Sequence, residues 1–221
     1  MIGGTGDEGY GLALRWAKHG YEVIIGSRDA DKAKAAASKI QTTLGGSSRV
    51  YGLVNTEGAS KADILVVTVP FAALPDTIKS LKSSIKPAQI VVNVTVPLET
   101  AVGGSATRTV GVWDGSAGEF IVRYLPKGTK LVSAFNNVSA ELLNDVSKQV
   151  DCDVLVCGDD EDAKKVVLEL ARAIPGVHGV DAGPLSNSRT VEQLTALLVS
   201  LNIRYNVKTA GLRITGLHSS T

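Results

Sequence analysis

Apolar and polar positions along the chain change period repeatedly, from short runs of β-branched residues to stretches with helical spacing and back. Helical spacing predicts helices over 9–18, 30–44, 74–84, 116–125, 140–148, 161–174 and 187–205. Between them the runs 22–25, 64–69, 90–96, 130–134 and 154–156 predict strands. Ile64-Leu65-Val66-Val67-Thr68-Val69 is apolar at nearly every position, as a strand covered on both faces requires. Alternating strands and helices of this kind imply an α/β chain of βαβ units, a Rossmann-type doubly wound, mostly parallel sheet. Several ends are marked by their chemistry. His19-Gly20 closes the first helix, Ser116 with Glu119 forms a capping box, and Asp159-Asp160 opens the helix at Glu161.

Near Asp181 the pattern changes. Gly183-Pro184 breaks the chain, and one long helix follows with Val191, Leu194, Leu197, Leu198 and Leu201 as its apolar side. The expected organisation is a Rossmann domain over 1–180 and a small α-rich lobe over 181–221. That lobe is too short to bury its own stripe, so it must pack on the first domain or on another subunit. At the other end only Met1-Ile2 precede the glycine loop, where such a sheet has a central strand of about five residues. Either the start is truncated or that strand is abnormally short.

Composition narrows the chemistry. Lys plus Arg (23) and Asp plus Glu (22) nearly cancel, so no overall field favours nucleic acid or an anionic membrane, and an anionic ligand must be held locally. No apolar run is long enough to span a bilayer, and no secretory leader is evident, so a cytoplasmic location is expected. Cys152 and Cys157 lie in an apolar stretch and read as small buried hydrophobes. No residue spacing suggests a metal site.

Gly4-Thr5-Gly6-Asp7-Glu8-Gly9 is G-x-G-x-x-G at the head of an amphipathic helix, the pattern that lets backbone N–H groups approach a diphosphate. After the 22–25 run come Ser27, Arg28 and, one turn on, Lys32. A dinucleotide fold specific for the unphosphorylated ribose places a carboxylate there; a hydroxyl, a guanidinium and an ammonium suit a 2′-phosphate instead. The coenzyme expected is NADP(H), held by Gly4, Thr5, Gly6, Asp7, Glu8, Ser27, Arg28 and Lys32. Thr68-Val69-Pro70 ends a buried strand at the edge where such sheets bind ligands. Asn136 and Asn137 follow another, placed to hydrogen-bond a carboxamide or ring carbonyl. Catalytic histidines are not evident: His19 falls at a helix end, His178 in a glycine-containing turn and His218 in the terminal tail. Asp114-Gly115-Ser116-Ala117-Gly118 lacks the first glycine of a nucleophile elbow, and Tyr205-Asn206-Val207-Lys208 is one residue short of a Tyr-x-x-x-Lys pair. With no proton donor for a carbonyl in evidence, transfer between two coenzymes fits best.

The chain resembles the archaeal NADPH:coenzyme F420 oxidoreductases, most closely the methanogen form. The resemblance is carried by Gly3–Arg15, Ile25-Gly26-Ser27-Arg28 with Lys32, Gly103-Gly104-Ser105-Ala106, Trp113–Ala117, Ala134–Ala140, Val150–Asp153 and Ala210–Thr215, in order along nearly the whole chain. It implies that Thr5, Ser27, Arg28 and Lys32 hold the adenosine 2′-phosphate. It also implies that Val69 and the Asn136-Asn137-Val138 segment flank the nicotinamide, and that coenzyme F420 is the co-substrate, lying near Ala210 and Gly211. Asn136 replaces a histidine found in part of that family, which argues against an essential imidazole. The catalytic role is then positioning by Asn136, Asn137 and Val138, in a homodimer joined through the C-terminal lobe. An NADP-dependent reductase of a flavin or small imine, and a non-catalytic NADP sensor that docks a partner protein, are the other readings.

Overall fold

A computed structural model describes residues 1–217; His218 lies outside the described residues. Strands β1 (Val23–Ser27), β2 (Val50–Val54), β3 (Ile64–Val67), β4 (Ile90–Asn93), β5 (Lys130–Ser133), β6 (Cys152–Gly158) and β7 (Val177–Asp181) alternate with eight helices. These are α1 (Asp7–His19), α2 (Ala30–Thr43), α3 (Asn55–Lys61), α4 (Leu74–Leu81), α5 (Ala117–Val122), α6 (Ala140–Asn144), α7 (Glu161–Arg172) and α8 (Ser188–Tyr205). β1 and β2 pair in parallel, as do β3, β4 and β5. β6 joins β5 antiparallel and carries β7 parallel to itself, so the last two strands run against the rest. The expected mostly parallel, doubly wound sheet is the observed one.

Met1-Ile2 do sit at the centre of the sheet. Ile2 bridges Gly26 on one side and Val67 on the other, donating from its N–H to Val66 O (2.7 Å) and accepting from Thr68 N–H (2.9 Å). One residue thereby links β1 to β3. Next to it a cavity of about 460 Å³ lies between the N-terminal halves of those strands, bordered by Met1, Trp16, Val23, Ile64 and Leu170.

Alternation along the strands divides the core between two faces. Val66, Val92 and Val132 meet Leu12 and Trp16 of α1, Leu143 of α6 and Val167 of α7. Leu65, Val67, Val91 and Leu131 meet Leu74 and Ile78 of α4 and Ile121 of α5. Helices cover both sides, which is why the central strands are apolar at consecutive positions.

Four elements depart from the sequence reading. β2 and β7 are edge strands with Gly52, exposed Tyr51 and half-buried Gly179 breaking the alternation. His178 therefore lies in β7 rather than in a turn. α3 buries only Gly58 and Ala59, so it has no large apolar residues to reveal a period. α6 stops at Asn144, four residues before the expected end, because the buried Arg15 guanidinium takes its carbonyls. Arg15 donates to Leu142 O (2.5 Å), Leu143 O (2.9 Å), Asp145 O (2.6 Å) and Lys148 O (2.8 Å).

α8 packs against β6 through Val191, beside Leu155 and Cys157, while Leu197 of the expected stripe faces out. Its stronger tie is polar. Buried Glu192 accepts from the backbone N–H groups of Ala117 (2.8 Å) and Gly118 (3.0 Å) in the first turn of α5. Beyond α8 the chain returns to β6, where Leu212 O accepts from Asp153 N–H (2.7 Å) and Arg213 pairs with Asp151 and Asp153.

Candidate functional site

The glycine loop divides its labour among four residues. Gly3, just before the motif, has φ +77° and supplies the left-handed turn; a Cβ there would lie 2.8 Å from Val69 Cγ1. Gly4 is buried under the loop, where a Cβ would meet Met1 Cβ at 2.8 Å. Gly9 lets α1 rest on the end of β3, since a Cβ would come within 2.4 Å of Thr68 Oγ1. At Gly6 the protein is open: the nearest atom to an added Cβ is Gly3 O at 3.6 Å. The tight turn, the close packing and the free approach thus belong to different glycines.

α1 starts from Gly6, which offers no side-chain cap, whereas α2, α5, α6 and α7 are capped by Asp29, Ser116, Ser139 and Asp160. The N–H groups and partial positive charge of a long helix are left facing a pocket of about 480 Å³. Thr5, Gly6, Asp7 and Glu8 form one wall of it, Ser27, Arg28 and Lys32 the second, and Thr68, Val69 and Pro70 the third. Ten of the residues singled out by sequence therefore meet in one cavity. Arg28 and Lys32 are exposed, and neither has an ion-pair partner among the described residues. Asp29 lines the same wall, yet its carboxylate is turned into its own helix, accepting from Asp31 N–H (2.9 Å) and Lys32 N–H (3.2 Å). The cations face the pocket without a neutralising partner.

Two acceptors in this wall are orphaned. Asn55 Oδ1 and Glu8 Oε1 are sealed from solvent and have no hydrogen-bond partner in the protein. Burial pushes the Glu8 carboxyl up to about 8. Asn55 was not legible as a site residue; it follows a β-strand end at the right sheet edge, which is the one signal that would have marked it.

Asn136, Asn137, Val138, Ala210 and Gly211 do not line this pocket. They belong to a neighbouring polar seam at the carboxyl ends of the strands. Phe135, fully buried edge-on against Trp16, has φ +63°, a left-handed conformation that a bulky side chain adopts only under constraint. It turns the chain out of β5 so that Asn136 Nδ2 reaches Val94 O (3.1 Å) and Asn137 Nδ2 reaches Asp153 O (2.8 Å). Thr95 Oγ1 donates to Val69 O (2.9 Å), which connects the seam to the pocket, and Thr195 of α8 donates to Asn136 O (2.8 Å). Asn137 Oδ1 and Asn93 Oδ1 remain buried and unpaired. Asn93 and Thr95, inside the apolar run 90–96, and Thr195, in the middle of α8, were missed because their partners come near only in the fold.

Gly211 seats the tail on β6: a Cβ there would lie 3.1 Å from Cys152 Cβ. Ser139 donates to Lys208 O (2.8 Å) and Asn202 accepts from Ala210 N–H (2.9 Å). Both ends of the seam, Asn137 and Gly211, thus touch residues 151–153. Cys152 and Cys157 are buried free thiols as expected, with burial lifting each to about 11. Ser116 is a helix cap, accepting from Glu119 N–H (3.0 Å). Two basic residues of the lobe are engaged within the fold: Arg189 pairs with Glu119 and Arg213 with Asp151 and Asp153.

An uncapped helix behind a glycine loop, opposite unpaired cations at the end of β1, defines a dinucleotide-binding Rossmann protein. Comparison with known proteins narrows the class. The family described as NADP oxidoreductase, coenzyme F420-dependent, matches residues 1–97. The F420-dependent NADP reductase of Methanothermobacter thermautotrophicus is 48% identical over 98% of this chain and 94% of its own length. That of Methanocaldococcus jannaschii is 46% identical over 98% of this chain and 97% of its own. A solved structure from Arthrobacter sp. FB24 superimposes with a TM-score of 0.80 at 25% identity, covering 95% of this chain and 96% of that one. The chain belongs to the F420-dependent NADP reductase family.

Proposed function

We propose that the chain transfers a hydride reversibly between NADP(H) and the deazaflavin coenzyme F420, with NADP(H) in the pocket at the head of α1. The observation that carries this reading is the pairing of an uncapped helix N-terminus with Arg28 and Lys32, cations that no protein carboxylate claims. The residues present fit such a ligand. Gly6 leaves a cradle that a side chain would fill, and the α1 N–H groups suit a diphosphate. Ser27, Arg28 and Lys32, with Thr5, suit a 2′-phosphate. The relatives at 46–48% identity carry the same two coenzymes in their names.

When bound, the coenzymes supply the chemistry, a hydride passing between nicotinamide C4 and deazaflavin C5. The protein's task is orientation. Val69 and Pro70 wall the pocket at the end nearest the seam, and Thr95 fixes the Val69 carbonyl. Asn136, Asn137 and Val138, held rigidly by the Phe135 turn, position the rings from the seam; Asn137 Oδ1 is the free acceptor for a ring N–H or carboxamide. The C-terminal lobe, with Ala210 tied to Asn202 of α8 and Gly211 seated on β6, closes the cleft over the deazaflavin. Productive alignment of two bound reactants supplies most of the rate in such a reaction. The test is anaerobic turnover: purified protein given NADPH and coenzyme F420 bleaches the deazaflavin's visible absorbance, and NADH in place of NADPH bleaches it far more slowly. Unchanged absorbance with NADPH refutes the reading.

The same proposal takes the working enzyme as a cytoplasmic homodimer. Support comes from apolar residues left exposed on α8, namely Leu197 and, near its end, Ile203 and Tyr205. No described helix is long and apolar enough to cross a membrane. Light scattering at micromolar concentration reads the mass of one chain or two.

A further inference from the structure

Glu8 has no place in the chemistry just described, and its position is costly. It stands in the first turn of α1 and lines the pocket, with Oε1 cut off from water and from every protein donor. A helix N-terminus favours an anion, yet the anions this pocket is shaped for are the coenzyme's own. A carboxylate inside the same cavity would face them, and like charges repel. The neutral acid has the opposite character. It carries an O–H donor that a phosphate, carboxamide or ring carbonyl oxygen accepts.

We infer that Glu8 meets NADP(H) as the uncharged carboxylic acid and donates a hydrogen bond to it, so that coenzyme binding above neutrality is coupled to uptake of a proton at this side chain. The inference rests on the NADP(H) reading of the pocket. Charged groups surround it on several elements. Asp7 on the same helix adds negative charge at the pocket. Across the cavity Arg28 and Lys32 stand at the β1 wall beside Asp29, whose carboxylate is engaged by its own helix. Behind Glu8, on β6, lies Cys152, whose thiol is pushed up to about 11, chiefly by burial and further by the charges of Asp153, Asp151 and Glu8 itself. Asp153 is committed to Arg213. No cation is paired with Glu8 among the described residues, and its carboxyl, lifted to about 8 by burial, holds a proton at neutral pH. NADPH and Glu8 thus share one anionic vacancy, and the proton is what allows both to occupy it.

The experiment is equilibrium binding of NADPH to the whole protein, read by nucleotide fluorescence from pH 7 to 9.5, above the range where the 2′-phosphate itself titrates. If only the neutral acid binds, the apparent Kd rises about tenfold between pH 7 and 9. Glu8→Gln, which keeps a donor and cannot ionise, binds at pH 9 about as tightly as the wild type at pH 7, and its Kd does not follow pH in this window. Calorimetry of the wild type at pH 8 in two buffers of different ionisation enthalpy gives a proton uptake of about half per NADPH; this measurement needs no variant. A wild-type Kd independent of pH, no proton uptake, or the same slope in Glu8→Gln each overturns the inference while leaving the NADP(H) site intact. Absence of NADPH binding at every pH would instead overturn the site itself.

Discussion

Two helix N-termini, one with a buried glutamate and one with a half-buried one, are treated in opposite ways. At α5 the first-turn N–H groups of Ala117 and Gly118 are taken by Glu192 of α8, and Ser116 caps the same turn. At α1 the cap is a glycine, and Glu8 sits in the turn with one oxygen unpaired. One terminus is closed by the fold and serves to fasten the lobe. The other is kept open at some energetic cost, since unpaired buried polar groups are destabilising. What distinguishes the proposed binding site from a structural joint here is who satisfies the backbone: the protein at α5, the proposed coenzyme at α1.

The largest expected effect breaks the closed terminus. Glu192→Ala leaves the Ala117 and Gly118 N–H groups buried without an acceptor and lowers the unfolding free energy by about 3 kcal/mol in urea titrations. Next comes the open one. Arg28→Ala removes a charge-assisted contact to the 2′-phosphate and weakens NADPH binding by about 2 kcal/mol, roughly thirtyfold, while NADH affinity changes little. Equal losses for both nucleotides would remove the 2′-phosphate assignment. The glycines sharpen the contrast within one motif. Gly9→Ala drives a Cβ to within 2.4 Å of Thr68 Oγ1 and costs about 1.5 kcal/mol of stability. Gly6→Ala meets nothing closer than 3.6 Å, leaves stability within about 0.5 kcal/mol, and lowers coenzyme affinity instead.

A separate effect appears in pH. Burial raises both carboxyls above the ordinary value of 4.5, Glu8 to about 8 and Glu192 to about 7. The folded state therefore holds these protons more tightly than the unfolded chain. The stability they confer is complete below pH 4.5 and is lost as pH rises through 7 and then 8. Without coenzyme, Glu8→Gln gains stability on the wild type as pH rises from 4 to 9, as thermal melts at the two pH values would show.

Much of this arrangement was readable in the residues. Consecutive apolar positions at 64–67 and 90–92 report a sheet covered on both faces, and the glycine spacing with Ser27, Arg28 and Lys32 reports the pocket. Elements at the margins were not readable. β2 and β7 lie at the sheet edges, where half-buried strands lose their alternation, and α3 packs with glycine and alanine alone. The early end of α6 follows from Arg15, a residue 128 positions away from the carbonyl of Leu143 that it binds. Long-range satisfaction of that kind leaves no trace in local spacing. The same is true of Asn93, Thr95 and Thr195, whose importance lies in partners brought together only by the fold.

Direct passage of hydride between two rings held side by side is the centre of the account. With NADPH deuterated at C4 on the transferred face, anaerobic single turnover with coenzyme F420 should place the label on deazaflavin C5 and leave none in water. Label released to solvent, or a reduced deazaflavin free of deuterium with either C4 epimer, would contradict it.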